Sequence, residues 1–421
     1  MTRSIFGPRA LPQTDLGDAP LAGRAFLAML TRLTAGHLVV TLPDGRESIF
    51  GDPHALPGAR LVLRDWRACG KILRAGDIGF AEAWRDQWVD SPDLVALMRL
   101  AIRNEPALPR TITGTWLARR WYQLRHLLRG NTPRGSRRNI HAHYDLGNAF
   151  YALWLDDTWS YSAALFDGDP NQPLRDAQEA KYARIVDALN LQPGMRVLEI
   201  GCGWGGFALH AARRGIHVHG VTISPAQLTL AQQRVTEAGL QDQITLELRD
   251  YRTLTGCYDA IVSIEMFEAV GQAYWRTYFD IVRDRLRPGG QALIQSITIA
   301  DDRFDAYRAS SDFIREFIFP GGMLPSPERL ERAAARSGLT THDVLAFGGD
   351  YAETLRRWRR SFTAARDNVA ALGFDPAFLR LWHLYLCYCE AGFDEQRTDV
   401  KQFLLTRAIP AHAGDLAWHA C

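Results

Sequence analysis

Val197-Leu-Glu-Ile-Gly-Cys-Gly-Trp-Gly-Gly206 is the stretch whose reading sets the architecture of this chain. Val197, Leu198 and Ile200 make the short apolar run of a buried strand, and the glycines after them predict a tight turn into a helix beginning near Phe207. Gly201, Gly203 and Gly206 let the backbone approach a ligand closely, and a helix start presents free N–H groups at the positive end of a dipole. A strand, a glycine turn and a helix in this order form a nucleotide-cofactor cradle at the carboxyl end of a sheet strand.

Strand and helix continue to alternate downstream. Arg196–Ile200, His217–Val221, Ile244–Leu248 and Ala260–Ile264 read as strands, and helices are expected from Phe207 and over Pro225–Ala238. Arg287-Pro-Gly-Gly290 turns into a further strand over Gln291–Ile297. The pattern predicts an α/β fold with a Rossmann-like, doubly wound, mostly parallel sheet. Residues 300–362 break the pattern, and Phe317-Ile-Phe-Pro-Gly-Gly-Met-Leu-Pro325 within them reads as a lid or the wall of an apolar channel.

The glycine spacing also fits G-x-G-x-x-G, so a dinucleotide must be weighed first. Such a site wants a carboxylate roughly 20 residues after the first glycine for a ribose hydroxyl, and the next strand ends at Thr222 with none. Glu199 before the turn and the small residues through it suit S-adenosylmethionine better than NAD.

At 421 residues with 47% apolar content, the chain has room for two domains. The 49 basic and 47 acidic residues give no overall nucleic-acid signature. No run of 18 apolar residues occurs, and the N-terminus lacks the apolar core of a signal peptide. The six cysteines lack paired C-x-x-C spacing, so they read as reduced thiols, with neither a metal site nor a disulfide framework.

Local charge is more telling than the total. Between Glu105 and Asp145 there is no carboxylate, while Arg110, Arg119, Arg120, Arg125, Arg129, Arg134, Arg137 and Arg138 alternate with Trp116, Trp121, Tyr122 and leucines. This reads as a basic amphipathic helix and linker suited to anionic lipid headgroups, or as a solvated connector. The expected domains are a small α+β unit over 1–115, a basic linker over 116–138 and a cofactor-binding domain over 139–421. In the first of these, His37–Leu42 and Ala59–Arg64 read as strands, and residues 65–103 as helix interrupted at Gly76 and Gly79.

His143-Tyr-Asp-Leu, Tyr161-Ser-Ala, the glycine loop, Gly220-Val-Thr-Ile-Ser, Phe267-Glu, Phe319-Pro-Gly-Gly and Tyr388-Cys-Glu-Ala-Gly-Phe393 together resemble the cyclopropane-fatty-acyl-phospholipid synthases and mycolic acid methyltransferases. The resemblance runs over 139–405, and the upstream region is similar to the lipid-binding domain of bacterial synthases. It implies S-adenosylmethionine contacted by Tyr161, Ser162, the loop Gly201, Gly203 and Gly205, and Thr222 and Gln227, with Asp250 and Tyr251 flanking the adenine. It implies methyl transfer to the cis alkene of a phospholipid acyl chain, in a dry site that stabilises a carbocation; Phe267, Tyr307, Phe313, Phe317, Phe319 and Trp358 are candidates for its lining.

In that family a bound bicarbonate serves as the base. Glu268, the main chain at Ile297 and Tyr351 match its cage, whereas Ala163 stands where cysteine is expected and Gln295 where histidine is expected. An amide can hold an anion but carries no charge near neutral pH. The two departures fall in one constellation and favour a methyl-branched alkene, of the 10-methyl or furan fatty acid precursor type, over a cyclopropane product. A small-molecule N-methyltransferase is the further alternative. The expected partners are unsaturated phospholipid and the anionic inner membrane face, reached from the cytoplasm without crossing; nucleic acid is not expected. A homo-oligomer is compatible with the sequence, which does not set the oligomeric state.

Overall fold

The computed structural model describes residues 19–107 and 146–409. The arginine segment from Arg110 to Arg138, and with it the expected linker, lies outside the described residues. The chain divides into two compact units, residues 1–122 with 375–395, and residues 123–374 with 396–421.

In the first unit β1 (His37–Thr41), β2 (Glu47–Gly51), β3 (Gly58–Leu63) and β4 (Val89–Asp90) form a sheet in the order β2-β1-β3-β4. β1 pairs antiparallel with β2 and parallel with β3. The expected helical region is Arg67–Arg85, kinked where Gly76 leaves helical geometry, followed by Leu94–Asn104. The apolar helix Pro376–Asp394, read from sequence with the cofactor domain, packs in this unit. Trp84 Nε1 donates to the Arg380 carbonyl at 2.9 Å, Arg380 Nε donates to the Trp84 carbonyl at 2.6 Å, and Arg99 and Arg103 both hold Glu395.

The second unit is built on a seven-stranded sheet ordered β10-β11-β9-β8-β5-β6-β7. Its strands are β5 (Arg196–Ile200), β6 (His217–Thr222), β7 (Ile244–Leu248), β8 (Tyr258–Ile264), β9 (Leu286–Ile299), β10 (Leu339–Ala346) and β11 (Thr398–Arg407). β5 to β9 run parallel, and β11 joins β9 and β10 antiparallel. Alternate residues of the parallel strands bury opposite faces, which explains their near-continuous apolar runs. Val197, Ala260, Val262 and Leu293 pack against the helices Leu174–Ala188, Gly206–Ala212 and Pro225–Glu237. Leu198, Ile200, Ile261 and Ile294 pack against Trp275–Arg285 and Pro327–Arg336.

The doubly wound α/β expectation holds. The stretch expected as an insert is one only in part, because β10 completes the sheet through its pairing with β11. No helix among the described residues is long and apolar enough to cross a membrane.

Candidate active site

Parallel strands place their carboxyl ends on one edge of the sheet, and the candidate residues follow those ends. Gly201 follows β5, Thr222 closes β6, Asp250 follows β7 and Glu265 follows β8. At Gly201, φ is +86° and an added Cβ would stand 2.8 Å from Met266 Cγ, so only glycine fits. At Gly203, φ is +51° and an added Cβ would meet no protein atom within 4 Å, so this turn borders open space.

Thr222 and Gln227 are brought together. The Thr222 hydroxyl donates to Gln227 Oε1 at 3.1 Å, Ser224 caps the helix at Gln227 N, and Pro225 occupies the first turn. Both oxygens of Asp250 are taken by the Arg252 guanidinium, at 2.8 and 2.6 Å, so that carboxylate is neutralised within the chain. Tyr251 beside it packs edge-on against Tyr278.

Tyr161, Ser162 and Ala163 lie on a loop tied to the glycine turn by Arg234, which donates to the carbonyls of Trp204 and Thr158 at 2.6 and 3.0 Å. Tyr161 stacks among Tyr151, Trp154 and Trp358 with ring centroids 5.3 to 5.6 Å apart, and Trp358 in turn meets the Tyr351 ring. Of the expected lining residues, Trp358 joins this aromatic cluster. Phe267, another, is fully buried among Trp275, Tyr278 and Phe279.

Of the residues expected in the anion cage, Glu268 meets the Ile297 amide, whereas Ala163, Gln295 and Tyr351 converge on Glu265. Its Oε1 accepts from the Ala163 amide and from Gln295 Nε2, both at 2.8 Å, and its Oε2 accepts from the Tyr351 hydroxyl at 2.7 Å. Ala163 contributes a main-chain donor, so the missing cysteine thiol removes no hydrogen bond to this carboxylate. Gln295 is oriented by a relay with only one polarity. Arg184 can only donate, so Gln402 turns Oε1 to it at 2.6 Å; Gln402 Nε2 then donates to Gln295 Oε1 at 2.9 Å, and Gln295 must present its NH₂ to Glu265. Glu265 has φ +49°, a strained left-handed backbone for a non-glycine residue, of the kind concentrated at functional sites.

Glu268 sits one turn on. Its Oε1 accepts from the Ile297 amide and from Ser296 Oγ, and its buried Oε2 has no partner among the described residues. Both carboxyl side chains keep some solvent exposure, yet protein encloses them densely enough that burial dominates their ionisation. Burial, and then the Glu265 charge, push Glu268 up to about 8. Burial raises Glu265 as well, against the lowering by its three donors.

Glu265, the Arg184–Gln402 relay and the buried Lys181 were not singled out from sequence. The legible signal for Glu265 was a carboxylate directly ending the apolar strand Ala260–Ile264.

A family model described as mycolic acid cyclopropane synthetase matches residues 132–403. The chain belongs to that family. The tuberculostearic acid methyltransferase UfaA1 of Mycobacterium tuberculosis is 38% identical to it over 411 residues, 95% of each chain. A cyclopropane-fatty-acyl-phospholipid synthase of Escherichia coli is 34% identical over 348 residues, 80% of this chain and 85% of that one. Among solved structures, mycolic acid cyclopropane synthase CmaA1 complexed with SAH and CTAB aligns with a TM-score of 0.60 at 31% identity, over 64% of this chain and 98% of that one. The family carries out S-adenosylmethionine-dependent methylation or cyclopropanation of lipid acyl chains, and the fold here is that of its methyltransferases.

The residues fit the cofactor. The turn at Gly203 borders open space, and the 3%-exposed Glu199 has a buried Oε2 without a partner among the described residues, suited to a ligand ammonium group.

Proposed function

We propose that this enzyme methylates the cis double bond of an unsaturated phospholipid acyl chain and releases a methyl-branched alkene, with Glu265 in place of bicarbonate as the proton acceptor. The observation that carries this reading is the set of three donors on Glu265, because Ala163, Gln295 and Tyr351 are among the positions that the family resemblance assigns to the anion cage.

When bound, S-adenosylmethionine supplies an electrophilic methyl group on a sulfonium. Tyr161, Ser162, Glu199, Gly201, Gly203, Gly205, Thr222 and Gln227 hold it, and Tyr251 borders the adenine. The half-buried ring of Tyr161, backed by the buried Trp154 and Trp358, suits a cation on the acyl chain and helps to exclude water. A carboxylate offers about four lone-pair sites. Three on Glu265 are filled, and the remaining one, on Oε2, is where it takes the proton that the chain carbon releases as the alkene forms. Tyr351 and Gln295 hold that carboxylate still, and Glu268, three residues on, accepts from the Ile297 amide.

The similarity to a relative named as a tuberculostearic acid methyltransferase, over 95% of both chains, supports methyl transfer as the outcome. Cyclopropane formation is the second reading, favoured by the similarity to the synthase of Escherichia coli. Analysis of fatty acid methyl esters from cells fed methyl-deuterated methionine separates them. Three deuterons retained on a branched alkene are expected, and two retained in a ring would establish the cyclopropane. The arginine segment from Arg110 to Arg138 suits peripheral docking on an anionic bilayer, tested by flotation with vesicles of rising anionic lipid and salt content.

A further inference from the structure

Lys181 is fully buried in the helix Leu174–Ala188, on the sheet face that Glu199 shares with Val197. Its ammonium donates to Ser162 Oγ and to Gln178 Oε1, both at 2.6 Å, and lies 4.5 Å from the centre of the Tyr182 ring. Gln178 Nε2 donates to the Ser162 carbonyl at 2.9 Å, so the lysine and its neighbour grip Ser162 at side chain and main chain together. Among the described residues no carboxylate is bonded to this cation. Glu265, Asp156, Glu199 and Glu179 favour its charge from further away, against a burial that draws its pKa down to about 8.

A buried ammonium held only by neutral oxygens is costly, and the arrangement has a chemical consequence. An ammonium has donors and no acceptor, so Ser162 Oγ must accept from it, and the hydroxyl hydrogen is forced to point elsewhere. Among the described residues no acceptor meets that hydrogen. Nearby, the buried Glu199 Oε2 lacks a donor among the same residues. One orphaned donor and one orphaned acceptor, flanking a turn that borders open space, match a zwitterion with a carboxylate and an ammonium.

We propose that Lys181 is a positioning residue that acts through Ser162, turning its hydroxyl into a carboxylate donor so that Ser162 and Glu199 grip the amino-acid end of S-adenosylmethionine. The proposal rests on the reading that Ser162 contacts this cofactor.

The test compares two ligands by calorimetry on the full chain: S-adenosylhomocysteine, which carries the amino-acid end, and methylthioadenosine, which lacks it. Lys181→Met should weaken S-adenosylhomocysteine about 10- to 100-fold, the range for a charged hydrogen bond, and leave methylthioadenosine within about twofold. Ser162→Ala should lose the same discrimination, and adding Lys181→Met to it should cost nothing more, because the lysine acts through the serine. If Lys181→Met fails to fold, Lys181→Leu, which also removes the donor while keeping an apolar side chain in the space, carries the same comparison. Equal weakening of both ligands, or a further loss in the double variant, would overturn the positioning role. An unchanged S-adenosylhomocysteine affinity in Ser162→Ala would overturn the cofactor contact itself, whatever the lysine does.

Discussion

Replacing Glu265 by glutamine tests the proposed base with minimal change of shape. The glutamate accepts three hydrogen bonds, from Ala163, Gln295 and Tyr351. Hydrogen bonds to a charged group contribute about 1.5–3 kcal/mol each and neutral ones about 0.5–1.5, so the exchange weakens the three together by about 3–4 kcal/mol. Removing a carboxylate that burial disfavours offsets part of this, leaving a net loss of about 1–2 kcal/mol, or about 2–8 °C in Tm. Turnover should fall far more, because a lost proton acceptor costs about 100- to 10,000-fold, which is about 3–5 kcal/mol in the barrier. The assay follows S-adenosylhomocysteine release on unsaturated phospholipid vesicles, with cofactor affinity measured separately and expected to hold. Glu265→Gly supplies the converse. It relieves the left-handed strain at φ +49° and opens the space between three donors, so added bicarbonate should restore part of the rate. Near-normal turnover in Glu265→Gln would refute the assignment, as would a parent enzyme that stops in bicarbonate-depleted buffer and recovers on its return.

Glu268, raised to about 8 from an ordinary 4.5, binds its proton more tightly in the folded chain. Its contribution to stability is therefore complete below about pH 4.5 and is lost as pH rises through 8, at up to about 1.4 kcal/mol per pH unit; Glu268→Gln should flatten that slope in urea unfolding between pH 5 and 8, and parallel curves would contradict it. Gly203→Val forces a β-branched residue into φ +51° and into the cradle, so S-adenosylhomocysteine binding should vanish while stability falls by about 1–3 kcal/mol; calorimetric binding at parental affinity would remove this turn from the site. Arg184→Met frees Gln402 to flip and breaks the polarity of the relay, so kcat should drop about tenfold, one hydrogen bond's worth, with cofactor affinity intact; an unchanged kcat would leave the relay without influence on Glu265.

Features that depend on neighbours in sequence were legible in the chain. The apolar run Val197–Ile200, the left-handed glycines after it and the Ser224–Pro225 helix start are local, and they place the cofactor turn and the doubly wound sheet without tertiary information. The strands β10 and β11 were less visible: β10 has an exposed alternating face and reads as part of an insert until it pairs across β11. The helix Pro376–Asp394 showed its apolar character but not its destination, since an apolar run does not say which unit buries Leu384 and Leu386. The carboxylate proposed as the base was the hardest to find. Glu265 and Glu268 lie three residues apart, and sequence similarity pointed to Glu268. What distinguishes them is a left-handed backbone at Glu265 that turns its side chain toward partners 102, 30 and 86 residues away. Local propensity carries no information about such meetings; hydrogen-bond donors from a loop, a strand and a helix converge on one oxygen pair only when the sheet has brought their ends together.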